Sequence, residues 1–217
     1  MSALDRRVEA RRQAPPWWIL LLALSAPACV FELADVVVPA SDGGPPDAGG
    51  SSIDASVDPG NRTANPSFEV DLSGWSFSNS TGSRVQVADA PHGCCVARVT
   101  RDSSDLYSMR DKPATIASSV AGATYRASAF VRSPISPLNA AATMRIILDE
   151  NGTQIGASDY TPIGAGFIEI KTSGQAMTGG LPVSVHLSQY NALAGDAFEV
   201  DLVQVTEELP DAGSDGG

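Results

Sequence analysis

The chain has 217 residues, 43% apolar and 6% aromatic, enough for one domain of ordinary size with flanking segments. A net charge of −11 would repel phosphate backbones, which argues against a nucleic-acid partner; the acidic surface reads as a solubility device.

Residues 1–28 carry Arg6, Arg7, Arg11 and Arg12, then the apolar stretch Trp17–Leu24, then Ala26 and Ala28 in small-residue positions. These are the parts of a secretory signal peptide, and the apolar stretch is far short of the roughly 20 residues that span a membrane. Cys29 follows directly, in an arrangement that resembles the lipobox of bacterial lipoproteins. The resemblance implies lipidation of Cys29, membrane attachment through an N-terminal lipid anchor, and display at the outer membrane or cell surface. Cleavage by the ordinary signal peptidase would instead give a secreted protein with a free N-terminal Cys. Residues 29–61 hold six acidic side chains and no Lys or Arg, and Ser41–Gly60 is dominated by Gly, Pro, Ser, Ala and Asp. Such a tract cannot bury enough surface to offset chain entropy, so it is expected to be a disordered linker. PDAG occurs at Pro46–Gly49 and again at Pro210–Gly213. Low-complexity chemistry thus brackets one domain at 62–208, with a disordered tail at 209–217.

Within those limits period-2 alternation predominates. In Thr124–Arg132, Tyr125, Ala127, Ala129 and Val131 share one face, and Arg126, Ser128, Phe130 and Arg132 the other. Met144, Ile146 and Leu148 oppose Arg145 and Ile147, before a turn expected at Asp149–Gly152. Val183, Val185 and Leu187 oppose Ser184, His186, Ser188 and Tyr190. Phe198, Val200 and Leu202 are set against Glu199, Asp201 and Val203. Shorter candidates are Arg84–Ala88, Cys94–Thr100, Asp105–Met109 and Phe167–Thr172. Eight or nine short strands with one apolar face predict an all-β antiparallel sandwich, with a jelly roll as its topology.

Asn65–Trp75 reads NPSFEVDLSGW. With HGCCVARVT (His92–Thr100), YRASAFVR (Tyr125–Arg132) and FEVDLVQV (Phe198–Val205), it resembles carbohydrate-binding modules of the family 4 and 9 type. Those are galactose-binding-like jelly rolls, often attached to secreted glycoside hydrolases. The resemblance implies a structural Ca²⁺ between the first and last strands, held here by Glu69 and Asp201. Calcium takes six to eight oxygen ligands, so backbone carbonyls or water would complete such a site. Trp75, near Phe68, reads as core rather than as a sugar platform.

The polar faces of the central strands offer Arg126, Phe130, Arg132, Arg145, His186 and Tyr190. Taken as neighbours, the three strands would form one strip of hydrogen-bond donors and aromatic rings suited to a polysaccharide or other glycan. Cys94 and Cys95 are adjacent, so a bridge between them needs a distorted turn; a vicinal disulfide and two free thiols both remain open. With two His in the chain and no G-x-S-x-G, H-E-x-x-H or phosphate-cradling loop, no catalytic constellation is present. The expected protein is a monomeric, non-catalytic glycan-binding module displayed as a surface lipoprotein. The alternative is a structural or adhesion lipoprotein with the same fold and no sugar site.

Overall fold

Eleven strands and no helix occur among the described residues of the computed structural model, which are 56–103, 106–135, 137 and 139–210. The signal peptide, Cys29, residues 29–55 and residues 211–217 lie outside that range. The strands are β1 (Trp75–Ser78), β2 (Ser80–Gln86), β3 (Cys95–Arg101), β4 (Tyr107–Asp111), β5 (Thr124–Arg132) and β6 (Thr143–Glu150). After them come β7 (Thr153–Ala157), β8 (Thr161–Pro162), β9 (Ile168–Gln175), β10 (Val183–Tyr190) and β11 (Ala197–Glu208).

One sheet runs β1-β4-β10-β6-β7, with β8 also paired to β6; the other runs β2-β3-β11-β5-β9, and every pairing is antiparallel. The chain passes repeatedly from one sheet to the other, as in a jelly roll. The sheets face each other across a core that includes Val99, Tyr107, Met109, Tyr125, Leu148 and Phe198. In β5, Tyr125, Ala127, Ala129 and Val131 are buried and point into this core, as the alternation requires.

The opening of the domain is locked to β11. Phe68 is fully buried against Trp75, with ring centroids 5.7 Å apart, and the indole Nε1 donates to the carbonyl of Asn65 at 3.0 Å. The backbone N–H of Val203 donates to the carbonyl of Pro66 at 2.8 Å, next to a bulge in β11 between Asp201 and Gln204. Leu202 has φ 48° there. The bulge corrects the simple alternation: Phe198 and Val200 face the core, but beyond it Val203 and Val205 do, because the extra residue shifts the parity.

A second correction concerns Asp149 and Glu150. The turn is only Asn151–Gly152, with φ 51° and 84°, the positive-φ pair that a two-residue hairpin loop needs. Asp149 and Glu150 therefore belong to β6 and are 4% and 3% exposed rather than hydrated in a turn. The Glu150 carboxylate accepts hydrogen bonds from the Ser119 hydroxyl at 2.7 Å and from the backbone N–H groups of Met177, Thr178 and Gly179. Residues just before 62 are tied to β11. Ser56 and Asp58 bond to the Gln204 side chain, and Arg62 N–H donates to the carbonyl of Val205 at 2.8 Å.

Candidate binding faces

The six residues expected in one strip divide between two faces. Arg126, Phe130 and Arg132 lie on β5 and so on the outer face of the five-stranded sheet; Arg145, His186 and Tyr190 lie on β6 and β10, on the outer face of the other. Strand alternation decides which side chains leave the core, but it carries no information about sheet membership. Here the connection from β5 to β6 crosses between sheets.

On the five-stranded face the charged groups are consumed by one another. Glu199, fully buried, accepts from Arg98 Nε at 2.9 Å and Nη2 at 2.5 Å, and from Arg132 Nε at 2.5 Å. Arg132 also reaches Asp89 at 2.6 Å and stacks 4.2 Å from the centroid of Phe167. Arg126 pairs with Glu208 at 2.7 Å and Lys171 with Glu169 at 2.8 Å. A groove of about 390 Å³ on this face is lined by Arg126, Lys171 and Gln204, and the incoming chain contributes Asp58 to it.

The six-stranded face is organised differently. In register, Arg110 lies opposite His186, which lies opposite Ile147; Ser108 lies opposite Ser188, which lies opposite Arg145. Asp149 contacts His186 Nε2 and accepts from Arg110 Nη2 at 3.3 Å and from the Gly152 N–H at 2.9 Å. Burial lowers the His186 pKa, outweighing the opposite pull of Asp149, so the imidazole is neutral at neutral pH. Farther along, Arg145 Nε donates to the carbonyl of Ser158 at 2.8 Å while its guanidinium lies 4.5 Å from the centroid of Tyr160. Tyr160, 56% exposed, meets Tyr190 edge-on with centroids 5.0 Å apart. Beside the opposite end of β10 is a cleft of about 570 Å³ lined by Ser76, Arg110, Lys112, Asn151, Gly152 and Ser184. Arg110, Asp149 and Tyr160 were not in the expected set. The Asn-Gly pair at 151–152 was the available signal for Asp149, since it extends β6 through that residue. Tyr160 stands in a segment without alternation.

Glu69 and Asp201 meet at one corner. Glu69 accepts from Cys94 N–H, at 3.1 Å to one carboxylate oxygen, and Asp201 accepts from His92 N–H at 2.8 Å and Leu202 N–H at 2.7 Å. Burial, with the Glu69 charge adding to it, pushes the Asp201 carboxyl up to about 7. The corner does not fit the calcium ion that the resemblance implies. The carbonyls of Phe68 and Glu69, the backbone oxygens beside the two carboxylates, accept from Arg84 at 2.8 and 2.6 Å, so a guanidinium cation already stands at this corner. Glu69 also approaches Cys94 and Cys95, but these two form a disulfide, with Cα atoms 3.7 Å apart, and offer no thiolate.

No protein-family model matches the chain, and no curated protein does. Solved structures do. A Stig cyclase, Fisc, from Fischerella sp. TAU is 16% identical with a TM-score of 0.54, over 67% of this chain and 95% of that one. The CBM22-1 xylan-binding domain of Paenibacillus barcinonensis Xyn10C is 13% identical with a TM-score of 0.52, over 65% and 91%. The CBM22-1–GH10 modules of Clostridium thermocellum xylanase 10B, complexed with xylohexaose, are 16% identical with a TM-score of 0.52, over 69% and 29%. Likenesses at such identities establish the jelly-roll fold alone.

Proposed function

We propose that the domain is a non-catalytic carbohydrate-binding module that takes a glycan across the outer face of its six-stranded sheet. One observation carries this reading: Arg145, Tyr190 and the exposed Tyr160 share that face with Arg110 and His186, which Asp149 holds in place, whereas the cations of the opposite face are tied up in ion pairs and bring no such cluster of rings among the described residues. Aromatic rings beside a few fixed polar groups suit a sugar chain, which needs both a stacking surface and partners for its hydroxyls. That one of the structural neighbours is a xylan-binding domain and another a xylanase module complexed with xylohexaose supports the same reading. The non-catalytic assignment rests on the sequence, which offers two His and none of the nucleophile, metal-hydrolase or phosphate-loop patterns. Cys29 would carry a lipid and residues 29–61 would tether the module to a bacterial surface.

A glycan array probed with the chain tests the proposal. Tyr160→Ala and Tyr190→Ala should each weaken the strongest signal by about tenfold, or roughly 1.4 kcal/mol. Phe130→Ala, on the other face, should leave it unchanged. Loss with Phe130→Ala alone would place the ligand on the wrong sheet for this reading. A blank array beside capture of a protein partner would replace it with the adhesion role.

A further inference from the structure

Resting on that reading, we infer that the glycan taken by the six-stranded face is acidic, its sugars carrying carboxylates that Arg145 and Lys112 receive. The contrast between the two faces carries the inference. Across the five-stranded face Arg98, Arg126, Arg132 and Lys171 each have a carboxylate within 2.8 Å. On the six-stranded face, among the described residues, neither Arg145 nor Lys112 has an ion-pair partner, although the chain carries 25 acidic residues against 14 basic. Arg110 is balanced by Asp149. Asp111 lines the same cleft as Lys112, but it is 5% exposed and its carboxylate is spent on the N–H groups of Thr115 at 2.5 Å and Val185 at 3.2 Å. The exposed acid nearest Tyr160 in the chain is Asp159, at one end of the strip.

Arg145 is also preorganised. Its Nε is fixed on Ser158 and its Cζ lies over the Tyr160 ring, while its two terminal nitrogens make no hydrogen bond among the described residues and remain as a fork for a ligand. A guanidinium fork matches a carboxylate in a bidentate manner, and ordering it in advance lowers the cost of binding. By register, Arg110 and Arg145 are two strands and two residues apart, about 10 Å across the sheet and about 7 Å along it. Lys112 stands in the cleft at the other end of the face, so the positive positions follow the path of a chain laid across β10. A polymer with repeated carboxylates can meet both ends at once, which a single small anion cannot.

The test is titration of the full chain with a polyuronate and with the same polymer after chemical reduction of its carboxyl groups to alcohols. The native polymer should bind at least about tenfold more tightly, in line with a charge-assisted hydrogen bond, and the difference should shrink with added salt. Arg145→Gln should erase most of the difference. Lys112→Gln, an exposed change that leaves packing untouched, should reduce it. Equal binding of native and reduced polymers overturns the inference while leaving glycan binding standing. Failure to bind either form, beside an array that finds no neutral glycan, overturns both.

Discussion

Replacing Asp201 with Asn tests the chemistry of the corner where the first loop meets β11. Asp201 is 0% exposed, and burial together with the nearby Glu69 charge raises its pKa from 3.8 to about 7. In the unfolded chain the carboxyl returns to its ordinary value. Between the two values the folded protein keeps a proton that the unfolded chain has released, so stability falls as pH rises through this window. The contribution is fully present below about pH 4 and is lost by the time pH has passed about 7. A span of about three pH units corresponds to about 4 kcal/mol. Asn does not titrate, so whatever fixed cost it brings, such as an amide NH₂ facing a backbone N–H, cancels from the pH dependence. Urea unfolding of both proteins across this range should show the wild-type advantage shrinking as pH rises, by up to that amount. A difference that stays flat within about 0.5 kcal/mol refutes the reasoning. So does a wild-type gain at higher pH, the sign expected if a bound cation held Asp201 ionised.

Glu199→Gln leaves the mostly buried Arg132 with Asp89 as its remaining acidic partner; the expected loss is about 3 kcal/mol, a melting-temperature fall of roughly 6–12 °C, and a fall under about 2 °C would show the network to be dispensable. Gly93 has φ 65°, and a Cβ there would lie 2.3–2.6 Å from atoms of the Glu69 carboxylate. Gly93→Ala should therefore cost about 2 kcal/mol or more in chemical denaturation, and pairing it with Glu69→Ala should recover some of that; strict additivity would refute the clash. Melting in Ca²⁺ and in EGTA should give the same temperature, because the Arg84 guanidinium already occupies the backbone carbonyls beside Glu69; a rise with Ca²⁺ would overturn that argument.

Much of the sandwich was legible wherever one side of a strand is wet. Tyr125, Ala127, Ala129 and Val131 announce their face by alternation, as do Val183, Val185 and Leu187, because burial on one side leaves a period of two. The parity change in β11 was not legible, since it depends on the Val203 bond to Pro66, more than a hundred residues earlier in the chain. Nor could Glu199 be recognised as buried. It points away from the core like any solvated acid, and Arg98 and Arg132 from neighbouring strands then cover it. For Arg145, His186 and Tyr190, alternation gave the outward direction, whereas Tyr160 lies in a segment that has none. Whether Arg132 and Arg145 shared a surface depended on the crossing from β5 to β6, and no local pattern encodes that.

The attachment of residues 56–62 to β11 has a mechanical consequence. If the chain is held from its N-terminal side, load first meets the side-chain bonds of Gln204 to Ser56 and Asp58, then the bonds joining Asn61 and Arg62 to Val205. These bonds come in chain order from Ser56 to Arg62, each worth only about 1 kcal/mol net. Their release would give roughly 20 Å of slack before tension reached the buried pair Phe68 and Trp75. The entry segment would then act as a shock absorber, yielding under drag while the sandwich behind it stays closed.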